Sequence, residues 1–312
     1  MTPTTTVPAS TGTSHVPCLV PPTRFLRIPR DPLTSEQTEM LGQFEQQLPD
    51  LLARLPEQDQ AKHQRFCTRP CLLRYLRANK WSLARAQTGL EKTLQWRSEY
   101  RPDEITPDEI EHESIKGKMY VNGYDLFGRA VIYMRQRLNH TNEAKSQMRH
   151  LVFTLERAVQ ILPQTPDETP ESLTLVIDCE GWSMSNSVPL GTARETLHIL
   201  GAHYPERLGV ALILNAPWLF WTFFKLVSPF IDPVTRQKIQ FVDLTTQQSI
   251  PLNSFSSFEI ITYDAAKGAE RDAMNKADSA AASPSVSDLA AQLVARNQNR
   301  ENVPFAQTLS GA

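Results

Sequence analysis

The sequence predicts an α/β protein, a mostly parallel sheet with crossover helices, preceded by a small all-α lobe. Three observations carry that prediction. The continuous apolar runs Leu173–Ile177 and Val210–Leu214 read as strands buried on both faces, as in parallel sheets. Amphipathic helical segments alternate with such runs from residue 143 onward, as crossover connections require. Ahead of them, three segments within residues 34–111 show helical spacing.

Taken in order, residues 1–33 hold seven of the 23 prolines with many Ser and Thr, which predicts a disordered arm. A helix opens after Thr34-Ser35, with Met40, Leu41, Phe44 and Leu48 on one face. A second follows Pro70, with Leu72, Leu73 and Leu76 inward and Arg74 and Arg77 outward. A third runs from Ser82 to about Tyr100, with Leu83, Ala86, Leu90 and Leu94 at helical spacing. Residues 61–101 carry ten Lys or Arg against Glu91 and Glu99, whereas 102–115 carry six acids and no Lys or Arg. Such a run is either a solvated helix face or a contact for an anionic surface.

The second domain is expected over 112–264. Lys118–Val121 and Ala130–Met134 read as strands around a turn containing Asp125 and Gly128. Helices follow at Glu143–Leu162, closed by Pro163, at Pro189–His203 and at Pro217 to about Val227, with a strand at Ile239–Val242. Residues 265–312, rich in Ala, Ser and Asn, read as a low-complexity tail with one short helical candidate at Ser287–Ala295.

Composition excludes several classes. Lys plus Arg number 32 and Asp plus Glu 34, a net charge of −2, which argues against a basic nucleic-acid binder. Hydrophobic residues make up 40% of the chain, too many for an acidic disordered one, and four cysteines are too few for a disulfide scaffold. The start, MTPTTTVPASTGTSH, has neither the charge nor the apolar segment of a signal peptide, so a cytoplasmic protein with reduced thiols is expected. Leu208–Phe224 is uncharged over 17 residues, but Asn215-Ala216-Pro217 splits it into a strand and a new helix rather than a membrane span.

Catalytic and metal patterns are weak. No GxGxxG or GxxxxGK[ST] loop occurs. Gly181-Trp182-Ser183-Met184-Ser185 follows a buried strand, where a serine hydrolase would place its nucleophile, but the second Gly of GxSxG is missing. His198 and His203 lie downstream on an amphipathic helix. His63, Cys67 and Cys71 recur at intervals of four, yet Pro70 interrupts them and a fourth ligand is lacking.

Residues 204–238 are the informative stretch. Trp218, Phe220, Trp221, Phe223 and Phe224, with Phe230 just beyond, spread around more than one helix face, so this helix is either fully buried or borders an apolar cavity. Asp232-Pro233 then reads as an N-cap and first helical position, with Thr235 and Lys238 three apart. A hydroxyl, an ammonium and a helix N-terminus in one turn suit an anion such as a phosphate, although a solvated helix start has the same pattern.

Together CLLRYLRANKW (71–81), DLFGRAVIYM (125–134), LVIDCEGW (175–182), YPERLG (204–209), LNAPWLF (214–220) and PFIDPVTRQK (229–238) resemble the CRAL-TRIO lipid-binding family, in its phosphatidylinositol-transfer branch. The resemblance runs from about 60 to 245. It implies one lipid in a hydrophobic pocket of the α/β domain, with the 217–231 helix as a movable gate bearing the aromatics just named. It also implies a headgroup site formed or supported by Lys80, Asp125, Glu206, Arg207, Thr235 and Lys238, with Thr235 and Lys238 on the phosphate. The implied protein is a monomeric, non-enzymatic carrier of phosphatidylinositol, without cofactor or metal and in transient contact with membranes. A sterol, an isoprenoid or haem is the alternative ligand. Two departures stand out: Asn79 replaces a residue that is basic in many members, and of the choline-lipid set only Tyr133 matches, with Val121 where a Tyr is expected. Phosphatidylinositol binding is therefore favoured over phosphatidylcholine exchange.

Overall fold

In a computed structural model of the chain, residues 18–22, 25, 30–163, 170–243 and 248–250 are described. Thr34 caps the first helix, α1 (Ser35–Ala53), in a capping box with Gln37. α2 (Glu57–Phe66), which the sequence pattern did not signal, precedes α3 (Arg69–Ala78) and α4 (Leu83–Tyr100). These helices share a core of Leu41, Phe44, Leu72, Leu76, Leu90 and Leu94, each at most 1% exposed. α3 ends with Lys80 in the left-handed region (φ 51°), where glycine is usual, and the N–H of Trp81 closes onto the carbonyl of Leu76 at 2.8 Å.

α5 (Pro107–Ser114), which spans the boundary expected at 111/112, leads into the sheet. β1 (Met119–Tyr124) and β2 (Ala130–Arg135) form a hairpin, after which α6 (Ala144–Gln160), β3 (Leu173–Asp178), α7 (Leu190–His203) and β4 (Leu208–Leu214) alternate. α8 (Trp218–Val227) and the short α9 (Pro233–Gln237) connect to β5 (Ile239–Asp243), followed by β6 (Gln248–Ile250). The strands lie in sequential order; β2 to β5 are parallel, and β1 and β6 add antiparallel edges. The mostly parallel α/β architecture behind an all-α lobe is the one the sequence predicts. Residues 251–264 and the expected tail, including Ser287–Ala295, fall outside the described residues.

Strand register puts the helices on one face. Ile132 pairs with Leu175, Leu175 with Ala211, and Ala211 with Ile239, so their side chains share that face. α6 covers its β1–β2 end through Met148, Val152 and Leu155, and α8 covers its β4–β5 end through Phe220 and Phe224. The alternate row, Val131, Val176, Val210, Leu212 and Val242, is buried as well.

Two expectations change. At its described residues the arm has a fixed place. Cys18 exchanges hydrogen bonds with β1, through its N–H to the Asn122 side chain and its carbonyl from the Gly123 N–H, both 2.8 Å, and Arg30 pairs with Glu171. Unpaired polar groups along the β1 edge provide such partners. The basic run, in turn, is largely neutralised from within. Lys62 pairs with Asp103 (2.6 Å) and Glu104, Arg101 with Asp59 and Glu104, Arg97 with Glu156, and Arg69 with Glu45. The acidic segment that follows the basic one in sequence folds back onto it.

Candidate functional site

The candidate site is built from strand residues upward. β3 lies in the middle of the sheet, where hydrogen-bonded neighbours close both its edges. Its side chains Leu175 and Ile177, with Met134 beside them on β2, are nevertheless only half-buried, while Ile132, Ala211, Ile213 and Phe241 on the same face are buried. Such residues reach solvent only across the face of the sheet. α7, which spans this region, packs mainly against α4, α6 and α8. These half-buried side chains form an apolar strip along β3, flanked by α6 on one side and by α8 on the other.

α8 closes its wall with aromatic rings. Trp221 stacks on Phe241 with centroids 4.0 Å apart, and Phe224 meets the same ring edge-on at 5.1 Å. Phe220 and Phe223 contact Trp182 at 5.4 and 5.9 Å. Trp182 and Phe241 are thus part of this wall, although neither stood out in sequence, where single aromatics in a loop and a strand read as ordinary core. The other two predicted gate residues face outward: Trp218 is 79% exposed, and Phe230, half-exposed, lies under the Arg194 guanidinium. Leu226 and Val234 are exposed beside them in the chain, so α8, α9 and the turn between them present apolar side chains on both sides.

The predicted headgroup residues divide into four groups, and all but Lys80 lie near the amino ends of the parallel strands. This is the opposite end from the carboxyl-end crevice usual in open α/β sheets. Glu206 and Lys238 come together, Nζ to carboxylate 3.9 Å, because the turns before β4 and β5 are neighbours. Glu206 holds a left-handed conformation (φ 58°), a strain of about 1–2 kcal/mol for a residue with a Cβ. Thr235 lies one turn before Lys238, but the helix N-terminus expected to bind an anion is already taken. The Asp232 carboxylate accepts the N–H groups of Val234 and Thr235, both at 2.9 Å. Burial raises the Asp232 carboxyl, but these bonds and the Thr235 hydroxyl outweigh it and hold the group below its ordinary range.

Asp125 is internal. One oxygen accepts the N–H groups of Phe127 and Arg129, and the other accepts Arg129 Nε (2.5 Å) and the Thr174 hydroxyl (2.7 Å). It fixes the β1–β2 turn and aims Arg129 at Gly209, where a Cβ would sit 2.3 Å from Arg129 Nη1, so glycine is needed there. Lys80 stands exposed at the end of α3, with no ion pair from its ammonium to the other five.

Arg207 belongs to a cluster that periodicity misread. It donates to the Glu171 carbonyl (2.6 Å), while the Glu171 carboxylate receives Arg77 (2.5 Å), Arg30 (3.0 Å) and, more distantly, Arg74 (3.8 Å). The outward orientation expected for Arg74 and Arg77 is corrected: both point into the junction with the sheet domain. Helical spacing identifies the polar face of a helix but not whether a second domain covers it. Burial, with Arg74 next in importance, lowers the Arg207 guanidinium to about 10.

The other candidates do not assemble. The Ser183 hydroxyl pairs with Ser185, while His203 contacts the Thr93 hydroxyl and stacks on Trp96. His63 bonds Ser98, Cys71 lies in the helical core, and no metal-binding group of three occurs among the described residues. Tyr133 stacks on Tyr120, on the face opposite Ile132 and Met134 and so away from α6 and α8. Asn79 spends its side-chain amide on the Tyr75 carbonyl (2.9 Å). No described helix is long and apolar enough to cross a membrane.

Known proteins share this architecture. The profile of the CRAL/TRIO domain matches residues 115–257, and that of the CRAL/TRIO N-terminal domain matches 38–92. A CRAL-TRIO domain-containing protein of Schizosaccharomyces pombe is 43% identical over 176 residues, 56% of this chain and 17% of that protein. The phosphatidylinositol transfer protein PDR17 of Saccharomyces cerevisiae is 31% identical over 265 residues, 75% of each chain. The SEC14 cytosolic factor of Candida glabrata is 33% identical over 183 residues, 54% of this chain and 61% of that one. A crystal structure of Sfh5 superposes with a TM-score of 0.57 at 16% identity, covering 68% of this chain and 82% of the other, which shows the shared fold. The chain belongs to the CRAL-TRIO family.

Proposed function

We propose that the chain holds one phosphatidylinositol molecule with its acyl chains in the groove over β3, and carries or presents it between membranes. The half-buried row Met134, Leu175 and Ile177 beneath an aromatic wall is the observation that carries this reading. Exposing about 30 methylenes of a two-chain lipid to water would cost over 20 kcal/mol, at roughly 0.8 kcal/mol each. Polar headgroup contacts do not offset a penalty of that size, so loading requires the groove to open directly against a bilayer. α8 is the door in this reading. Its inner rings seal the groove, while Trp218, Leu226 and Phe230 meet the membrane interface. Thr235 and Lys238 receive the phosphate and Glu206 orients the Lys238 ammonium. Asp125 supports the site from inside through Arg129.

The similarity to PDR17, a phosphatidylinositol transfer protein, supports the choice of lipid. The basic lobe contributes less to membrane attraction than its sequence promised, because so many of its charges are paired internally. The role is carriage rather than catalysis, by a cytosolic monomer in transient contact with membranes. Lys238→Ala tests the headgroup assignment in a liposome transfer assay. Phosphatidylinositol transfer is expected to fall at least tenfold with the thermal unfolding midpoint unchanged, and undiminished transfer would remove Lys238 from the site.

A further inference from the structure

Four guanidinium groups meet at Glu171. Arg30, Arg74 and Arg77 share its single carboxylate, and Arg207 takes its main-chain carbonyl. Glu171 and Arg74 are deeply buried, with side chains 8% and 7% exposed, and Arg74 reaches the carboxylate only at 3.8 Å. Holding the two domains together needs one good pair, and Arg77 at 2.5 Å already supplies it. Further buried cations of like sign raise the energy of the junction unless negative charge balances them. Burial is the first cause of the lowered Arg207, and Arg74 is the largest charge acting on it, with Glu171 and Glu156 acting the other way. The cluster is open on one side, through Arg77, one-quarter exposed, and Arg30 on the arm, half exposed.

We infer that this junction is a second anion site, which takes a phosphomonoester between Arg74, Arg77 and Arg207 beside Glu171. Planar guanidinium forks match phosphate oxygens in pairs, and three of them suit a doubly charged group better than a phosphodiester. The inference is independent of the groove's cargo, because the cluster stands whether or not a lipid occupies β3. The phosphate belongs either to a phosphorylated inositol headgroup or to a soluble phosphomonoester.

The test uses the full chain, wild type and Arg77→Gln, titrated with inorganic phosphate and with phosphatidylcholine vesicles containing phosphatidylinositol or a phosphatidylinositol monophosphate. Arg77→Gln is expected to weaken binding of the phosphomonoester about tenfold, the loss of one charge-assisted contact. A response to inorganic phosphate identifies a soluble ligand, and a response confined to monophosphate vesicles identifies a headgroup. Glu171→Gln, which removes the competing carboxylate, is expected to strengthen phosphate binding, an effect that a purely structural salt bridge does not produce. Equal affinities in wild type and Arg77→Gln for every probe would overturn the inference, as would Arg77→Gln weakening phosphatidylinositol and monophosphate vesicles equally. Should Glu171→Gln fail to fold, the Arg77→Gln comparison decides alone.

Discussion

α6 and α8 cover the same face of one sheet but are attached to it in different ways. α6 buries Met148, Leu151, Val152, Leu155 and Ala158 in an aliphatic core and fastens its polar flank as well. Gln147 donates to the Thr141 carbonyl, Arg149 pairs with Glu109, and Glu156 receives a two-pronged ion pair from Arg97. α8 buries only Phe220, Phe224 and Val227, bears Lys225 as its single charged residue, and leaves Trp218 and Leu226 in solvent. Its contacts with the sheet and the β3–α7 loop are mainly ring-on-ring, with Phe241 and Trp182. In the proposed reading one helix is a wall of the groove and the other a door, a difference set by side-chain type rather than by position in the fold.

The largest effect expected from this contrast is on the wall. Leu155→Ala should lower stability by about 2–5 kcal/mol, the usual result of emptying an aliphatic core position, as read from urea unfolding. A loss below 1 kcal/mol would mean that α6 is no better anchored than α8.

Acid should act on the wall side next. Burial, reinforced by Lys118, lowers the His150 imidazole on α6 to about 4, and burial with His198 and Arg97 does the same to His203 on α7. Both are neutral in the folded state, while the unfolded chain takes up protons near the ordinary value of 6.5. Their contribution to stability is therefore complete above pH 6.5 and declines as the pH falls toward 4. The urea midpoint should be lower at pH 5 than at pH 7.5. α8 has no histidine, so hydrogen exchange of its amides should change less over that interval than exchange of α6 amides.

The smallest effect on stability belongs to the door. Trp218→Ala removes a side chain that is 79% exposed and should change folding stability by no more than about 0.5 kcal/mol. Vesicle transfer, by contrast, should slow several-fold if Trp218 meets the bilayer. A large stability loss with unaltered transfer would reverse the assignment of wall and door.

Much of this contrast was legible in the sequence. The Asn215-Ala216-Pro217 break located the end of β4 and the start of α8, and the aromatic density of 218–224 marked α8 as unlike the other helices. Three things were not legible. A continuous apolar strand reads alike whether its face is sealed or opens on a groove, so the half-burial of Leu175 and Ile177 appears only once α7 is seen packing on the other helices. The polar face of α3 reads as solvated, whereas Arg74 and Arg77 meet Glu171 some 94 residues later in the chain. Among the headgroup candidates, spacing brought Thr235 and Lys238 together, but only the sheet register sets Lys238 against Glu206. Only the turn geometry reveals that Asp125 is bonded internally, to the turn and to Arg129.

The occupant of the groove is the central claim, and mass spectrometry of the intact chain purified without detergent tests it most directly. The account predicts one phosphatidylinositol per chain, released on denaturation. A chain that carries a sterol, an isoprenoid or a haem with its Soret band, or no lipid at all, would contradict it.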